Sequence, residues 1–277
     1  MDTPEYRAKV LEFEVDAVKS YFAALSDADL QQPSACADWS VADVMAHLAG
    51  QEHSSRIRRG LEGDYAPEEG APAVLDHDED QFAKNIFNRA LATREQHGQG
   101  LVAYLNQRLA ENVEVFNSVR ANDWENLCYW PPGPEPVRTL LDQRIAELTM
   151  HTWDIRSVLD DDYHLSDAAV TVLIDGVDRA VRRAFRPDPS LTTPISHRFV
   201  MEVPVAVRWD IVISAKGAEI GPASEGEPDV IFECGGETYA LIMYGRLKIA
   251  DALAAGSLSF DGDPAVAVGF GRRFVGG

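Results

Sequence analysis

The sequence predicts an α-helical bundle followed by a small α+β domain, and three observations carry that expectation. Long segments of roughly the first 185 residues repeat apolar side chains at helical spacing. From Arg186-Pro187-Asp188-Pro189 onward the spacing changes to alternation, which is a strand signal. No run approaches the eighteen or more apolar residues of a membrane-spanning helix. The change of period places one domain over residues 1–186 and a second over 190–277, with the Pro187 to Pro189 segment between them.

The first expected helix covers residues 4 to 29, with Val10, Phe13, Val18, Tyr21, Phe22 and Leu25 available to a core. The second starts at Val41, because Ser40 followed by Asp43 reads as a capping box with aspartate in the usual place of glutamate. It carries His47 beside Val41, Val44, Met45 and Leu48 and ends near Gly60. Residues 60 to 76, rich in glycine, proline and acidic side chains, read as a loop. A third helix is expected from His77 to Val119, broken at Gly98 and Gly100. Trp130-Pro131-Pro132-Gly133-Pro134 is compatible with neither regular helix nor central strand. It leads into a fourth helix that carries Glu147, and a further helix follows Ser166 as far as Phe185.

In the second domain Val203, Val205, Val207, Trp209, Ile211 and Ile213 alternate with polar or small residues, as in a half-buried strand. Residues 229 to 234 form another expected strand, Gly235-Gly236 opens a helix through Leu241, Ile242 and Met243, and residues 255 to 263 form a last strand before a terminal helix.

Two segments carry the chemistry. On the Glu147 helix, Leu141, Ile145, Leu148, Thr152, Ile155 and Leu159 define a core-facing stripe, while Arg144, Glu147, His151 and Asp154 define another about 100° away. Glu147 and His151 are four residues apart and therefore point the same way. Such a pair also fits an ordinary solvated face, where it contributes about 0.2–0.5 kcal/mol. His47 on the second helix also fits a hydrogen-bonded core histidine. Together the two segments offer two imidazoles and a carboxylate, enough to hold a divalent ion with positions left open. Asp154 and Asp43 are candidates to orient the imidazole N–H groups, Asp43 also fitting a cap alone.

The run Pro33, Cys36, Trp39-Ser40-Val41, Asp43-Val44, His47-Leu48-Ala49-Gly50, with Glu147 and His151-Thr152-Trp153-Asp154, resembles the amino-terminal domain of the mycothiol-dependent maleylpyruvate isomerase family. The resemblance covers approximately the first 185 residues. It implies a DinB-like four-helix bundle in which His47, Glu147 and His151 are the metal ligands, usually of zinc. It also implies mycothiol as the thiol cofactor and, more weakly, a sterol-carrier-like α+β second domain. The superfamily includes thiol S-transferases as well, so the motifs speak more for fold and metal than for substrate.

Composition narrows the classes. A net charge of -20 disfavours nucleic acid and anionic membrane surfaces as partners. A dianionic substrate would need local arginines. Arg144, one turn before Glu147, and Arg246 in Tyr244-Gly245-Arg246 are the candidate catalytic residues, each as a carboxylate partner and Arg144 alternatively as a partner of Glu147. Three cysteines, Cys36, Cys128 and Cys234, argue against a disulfide framework, and Cys36 is a candidate thiol near the metal. The start Met1-Asp2-Thr3-Pro4-Glu5 lacks the parts of a signal peptide, so a cytoplasmic protein is expected. The expected activity is metal- and thiol-dependent isomerisation of a small-molecule substrate, by thiolate addition to an activated double bond. S-transfer to the same thiol is the first alternative, followed by metal-dependent hydrolysis and by lipid or ligand carriage without catalysis.

Overall fold

The computed structural model describes residues 3–50, 52–69, 79–131, 133–186 and 190–273, so residues 70 to 76 of the loop expected over 60 to 76, the helix start expected at His77 and the Pro187 to Pro189 segment lie outside the described residues. It divides into two compact units, Met1–Tyr163 and His164–Gly277.

In the first unit α1 (Pro4–Phe22) starts on Thr3, whose side chain accepts from Tyr6 N at 3.3 Å, with Pro4 in the first turn where no N–H is missed. The expected helix over residues 4 to 29 ends early. Ser26 and Asp29 form a capping box of their own and start the short α2 (Asp27–Leu30). The His47 helix is likewise two elements, α3 (Val41–Ala49) and α4 (His53–Leu61), with Gly50 as the C-cap of α3. Next come α5 (Glu79–His97) and α6 (Leu101–Asn117), separated at Gly98–Gly100 as the glycines predict. A two-residue ladder of β1 (Leu127–Cys128) with β2 (Glu135–Pro136) leads into α7 (Val137–Arg156).

The bundle core forms where α3 packs against α5, α6 and α7, and α1 against α6 and α7. Leu11, Phe22, Val44, Met45, Leu48, Leu105, Leu109, Leu141, Ile145 and Leu148 are at most 1% exposed. Each fully buried aliphatic side chain contributes about 1.5–3 kcal/mol through removal of apolar surface from water. Every residue of α3 is buried, so this helix has no solvated face and its polar members must find partners inside.

In the second unit α8 (Asp167–Asp175) and α9 (Val177–Ala184) precede a five-stranded sheet of β3 (Ile195–Met201), β4 (Val207–Ile213), β5 (Ala218–Pro222), β6 (Val230–Cys234) and β7 (Leu258–Gly262). The order is β5-β4-β3-β6-β7, with β3 and β6 parallel and the other pairs antiparallel. The remaining helices are α10 (Gly236–Met243), α11 (Ile249–Ala255) and α12 (Pro264–Arg273). Phe199, Phe232, Phe270 and Tyr239 are fully buried and pack ring against ring, with Phe199 and Phe232 centroids 4.8 Å apart.

Two expectations shift here. The spatial division lies at Tyr163 and His164, ahead of residues 186 to 190, because α8 and α9 pack against α10 and belong to the second core. Gly236 permits the approach: a Cβ there would lie 3.0 Å from both Val170 Cγ1 and Ile174 Cδ1. The expected strand from Val203 begins only at Val207, and Val203 is 67% exposed. Strands β3 and β5 flank β4 in the sheet.

Candidate metal centre

The capping box sets the start of α3. Ser40 N donates to Asp43 Oδ2 at 2.9 Å and Asp43 N donates to Ser40 Oγ at 3.2 Å, which places His47 near the last turn with 8% exposure. On α7, Glu147 and His151 lie one turn apart on the face turned toward α3. His47 Nε2 is 3.2 Å from Glu147 Oε2, and His151 Nε2 is 3.5 Å from the same oxygen. The three donor atoms all lie within 4.8 Å of one another. Tetrahedral coordination with bonds of about 2.0–2.1 Å separates neighbouring ligand atoms by roughly 3.3 Å, so the donor set fits a small divalent ion. The Glu147 side chain is 33% exposed, so the cluster is reached from solvent on the carboxylate side.

Surrounding groups hold the histidines in place. The Trp39 ring meets His47 edge to face at 5.6 Å between centroids, and His47 meets His151 in the same manner at 4.6 Å. His151 Nδ1 lies 2.8 Å from Asp154 Oδ2, and Asp154 is 1% exposed. A carboxylate on Nδ1 favours the tautomer whose Nε2 is free to bind a metal.

Protonation follows from the same contacts. Burial opposes ionisation of Glu147, but hydrogen bonds and charge from His151 and His47 outweigh it and hold the carboxyl well below the usual range. Burial likewise opposes a charge on His151, yet Asp154, Cys36 and Glu147 together raise its pKa well above the ordinary histidine value. Burial lowers the pKa of His47, with Glu147 opposing. Glu147 ionised and His47 neutral are ligand-competent, and a metal would take the place of a proton on His151.

The candidate arginines sit differently. Arg144 is 1% exposed inside the bundle, where its Nη2 donates to the Leu48 carbonyl at 3.3 Å and ties α7 to the end of α3. Burial lowers its pKa to about 10, against the favourable charge of Glu147. Arg246 lies in the second unit, after α10, where its Nη1 donates to Tyr244 O at 2.8 Å. Asp43 caps α3 through one carboxylate oxygen and pairs with Arg94 of α5 through the other. Cys36 does reach the centre: its Sγ donates to Asp154 Oδ2 at 3.0 Å and lies 3.9 Å from His151 Nδ1.

One nearby group had no signal in the sequence reading. His53, in the first turn of α4, is 3% exposed with its ring 6.0 Å from that of Trp130. Burial, reinforced by the positive charge of Arg144, pushes its pKa well below the ordinary value and keeps it neutral. The break between α3 and α4 takes it out of register with His47, so helical spacing does not reveal it.

Fold and donor set together define a two-unit protein with a helical bundle built around a candidate metal centre. The chain belongs to the family described as the mycothiol maleylpyruvate isomerase N-terminal domain, whose family model matches residues 11–156. The model of the SCP-2 sterol transfer family matches residues 182–274. Two solved structures share the fold along most of both chains. A crystal structure of a histidine-to-alanine mutant of the mycothiol-dependent maleylpyruvate isomerase is 10% identical with a TM-score of 0.63, covering 94% of this chain and 93% of that one. A crystal structure titled as the isomerase itself is 13% identical with a TM-score of 0.59, covering 89% and 90%. No curated protein sequence matches the chain significantly. Among the described residues, no helix is long and apolar enough to cross a membrane.

Proposed function

We propose that the protein is a metal- and thiol-dependent enzyme of the maleylpyruvate isomerase type, with His47, Glu147 and His151 as ligands of a divalent ion, zinc by family resemblance. The observation that carries the reading is the convergence of two helices on one carboxylate oxygen, with an imidazole nitrogen at 3.2 Å and another at 3.5 Å. Family membership supports mycothiol as the thiol. An ion there would favour the thiolate of a bound low-molecular-weight thiol, which would add to an activated double bond, permit rotation and leave, or stay attached as an S-conjugate.

The chain's own residues serve that chemistry in distinct ways. Glu147 supplies negative charge that stays ionised across the neutral range. Asp154 holds the Nδ1 side of His151 and directs Nε2 toward Glu147. Arg144, fully enclosed, acts on the charge of Glu147 rather than on a substrate. Arg246 keeps the proposed part of carboxylate partner, since a guanidinium fork matches a carboxylate in two places. A small-molecule substrate and a cytoplasmic setting complete the reading.

Metal analysis of His47→Ala, Glu147→Ala and His151→Ala tests the ligand assignment. Each variant should lose stoichiometric metal while remaining folded, and full occupancy in two of the three would sink it. Turnover of cis-configured unsaturated acids with mycothiol, with other thiols and with none separates isomerisation and S-transfer from plain hydrolysis. Arg246→Lys should raise KM for such a substrate if Arg246 meets its carboxylate.

A further inference from the structure

The loop that leads into α3 reaches the far side of the centre. Within it, Ser34 Oγ donates to the Trp39 carbonyl at 2.9 Å and accepts from Cys36 N at 3.1 Å, and Asp38 adopts φ of +67°, a conformation uncommon outside glycine. This self-bonded loop docks on the last turn of α7 at two points. Ala35 N donates to the Asp154 carbonyl at 2.8 Å, and the Cys36 thiol donates to Asp154 Oδ2 at 3.0 Å. The same Oδ2 lies 2.8 Å from His151 Nδ1.

We propose that Cys36 is a positioning residue for the metal centre: its thiol, held by the Ser34–Trp39 loop, fixes the Asp154 carboxylate against His151 Nδ1, so that Nε2 stays aimed at Glu147. The inference rests on the metal reading above and adds a residue to it. A ring N–H and a thiol that meet the same carboxylate oxygen from two directions restrict its rotation. Partners one step removed from a metal ligand typically change metal affinity by about 10–100-fold when lost. The thiol is a weak donor, so its loss belongs at the low end of that range.

The test is a zinc competition titration against a chelator on the full chain, with wild type, Cys36→Ser, Cys36→Ala and Asp154→Asn, alongside visible spectra of the cobalt forms. The serine variant keeps a donor and should bind zinc within about threefold of wild type, whereas the alanine variant should bind about tenfold more weakly and Asp154→Asn at least as weakly. The cobalt ligand-field bands should shift in the alanine and asparagine variants and not in the serine variant. Melting of metal-free Cys36→Ala should match that of metal-free wild type.

Wild-type zinc affinity and an unchanged cobalt spectrum in Cys36→Ala would overturn the proposal, as would a serine variant as weak as the alanine one. A fall in metal-free stability that accounts for the lost affinity would assign Cys36 to the fold instead. A sulfur-to-cobalt charge-transfer band in wild type without added thiol would make Cys36 a ligand and overturn the positioning role. Failure of the wild type to bind zinc at all is the separate result that removes the metal reading itself, and this inference with it.

Discussion

Asp43 Oδ1 lies 2.7 Å from Arg94 Nη1 while its Oδ2 closes the capping box on Ser40, so a single carboxylate fixes both the start of α3 and the approach of α5 to it. The Asp43 side chain is 6% exposed and that of Arg94 40%, so solvent screens the pair from the arginine side and the capping bonds contribute more of the carboxylate's stabilisation. Because α3 carries His47, this contact acts on the candidate centre only through the placement of the helix.

Loss of this carboxylate should therefore be felt as stability. Asp43→Ala is expected to cost about 1–2 kcal/mol, through loss of the cap together with the ion pair. Urea unfolding measures it, and zinc affinity should fall less than in Asp154→Asn. A variant as stable as wild type would show that the cap does not set the helix start.

A second prediction concerns acid. Arg198 holds Asp210 with two bonds of 2.7 and 2.9 Å, and Ser224 donates to the same carboxylate through N at 2.8 Å and Oγ at 2.9 Å. The bonds from Arg198, acting against burial and helped by Ser224, lower the pKa of Asp210 to about 2. A depressed carboxylate contributes stability that is fully present above its unfolded value and is lost as pH falls through the folded one. The second unit should thus lose about 2 kcal/mol of stability between roughly pH 4 and pH 2, from this pair. Asp210→Asn should flatten that part of the acid unfolding profile, and an unaltered profile would refute the assignment.

The division at Tyr163 makes a third. A fragment ending at residue 163 keeps the bundle core intact, whereas one ending at 186 leaves α8 without α10 and exposes Val170 and Ile174, at 1% and 3% exposure in the folded chain. The longer fragment should bind a hydrophobic dye and aggregate more readily. Both should bind zinc. A better-behaved longer fragment would restore the boundary near residues 186 to 190.

The fourth joins metal and thiol. In the cobalt form of Cys36→Ser, mycothiol should produce a sulfur-to-metal charge-transfer band, and His151→Ala should abolish it. The serine background leaves no chain thiol beside His151 to confuse the reading, since Cys36 is the cysteine in contact with that ring. An unchanged spectrum together with full turnover in the absence of thiol would favour hydrolysis over both thiol-dependent reactions.

Much of this arrangement was legible in the residues, for reasons that differ by element. Ser40 and Asp43 announce α3 because capping is a local interaction. Glu147 and His151 share a face because helical geometry requires it. The break inside residues 4 to 29 is hidden because Ala23, Ala24 and Leu25 continue the apolar run past Phe22, whereas the backbone leaves the helix there and restarts on the Ser26 cap. Strand β3 escapes a reading of alternation because His197 occupies an inward position, where it is fully buried among Phe232 and Phe270 and interrupts the apolar pattern. For Arg144 the sequence leaves two parts open, partner of a substrate carboxylate or of Glu147, and its enclosure is not foreseeable because arginine is seldom buried. One of its partners inside the bundle is the carbonyl of Leu48, about a hundred residues earlier, and no local pattern carries that information.

The span of sequence between His47 and Glu147, a hundred residues, has a thermodynamic meaning beyond catalysis. An ion gripped by both is a clasp that closes a long loop, and it binds the folded chain far better than the unfolded one. The melting temperature of the first unit should then depend on free zinc, each tenfold rise above the dissociation constant adding about 1.4 kcal/mol. Chelators would loosen this unit while leaving the Arg198–Asp210 sheet domain to melt at its own temperature, so metal supply would govern how long the bundle survives as well as whether it reacts.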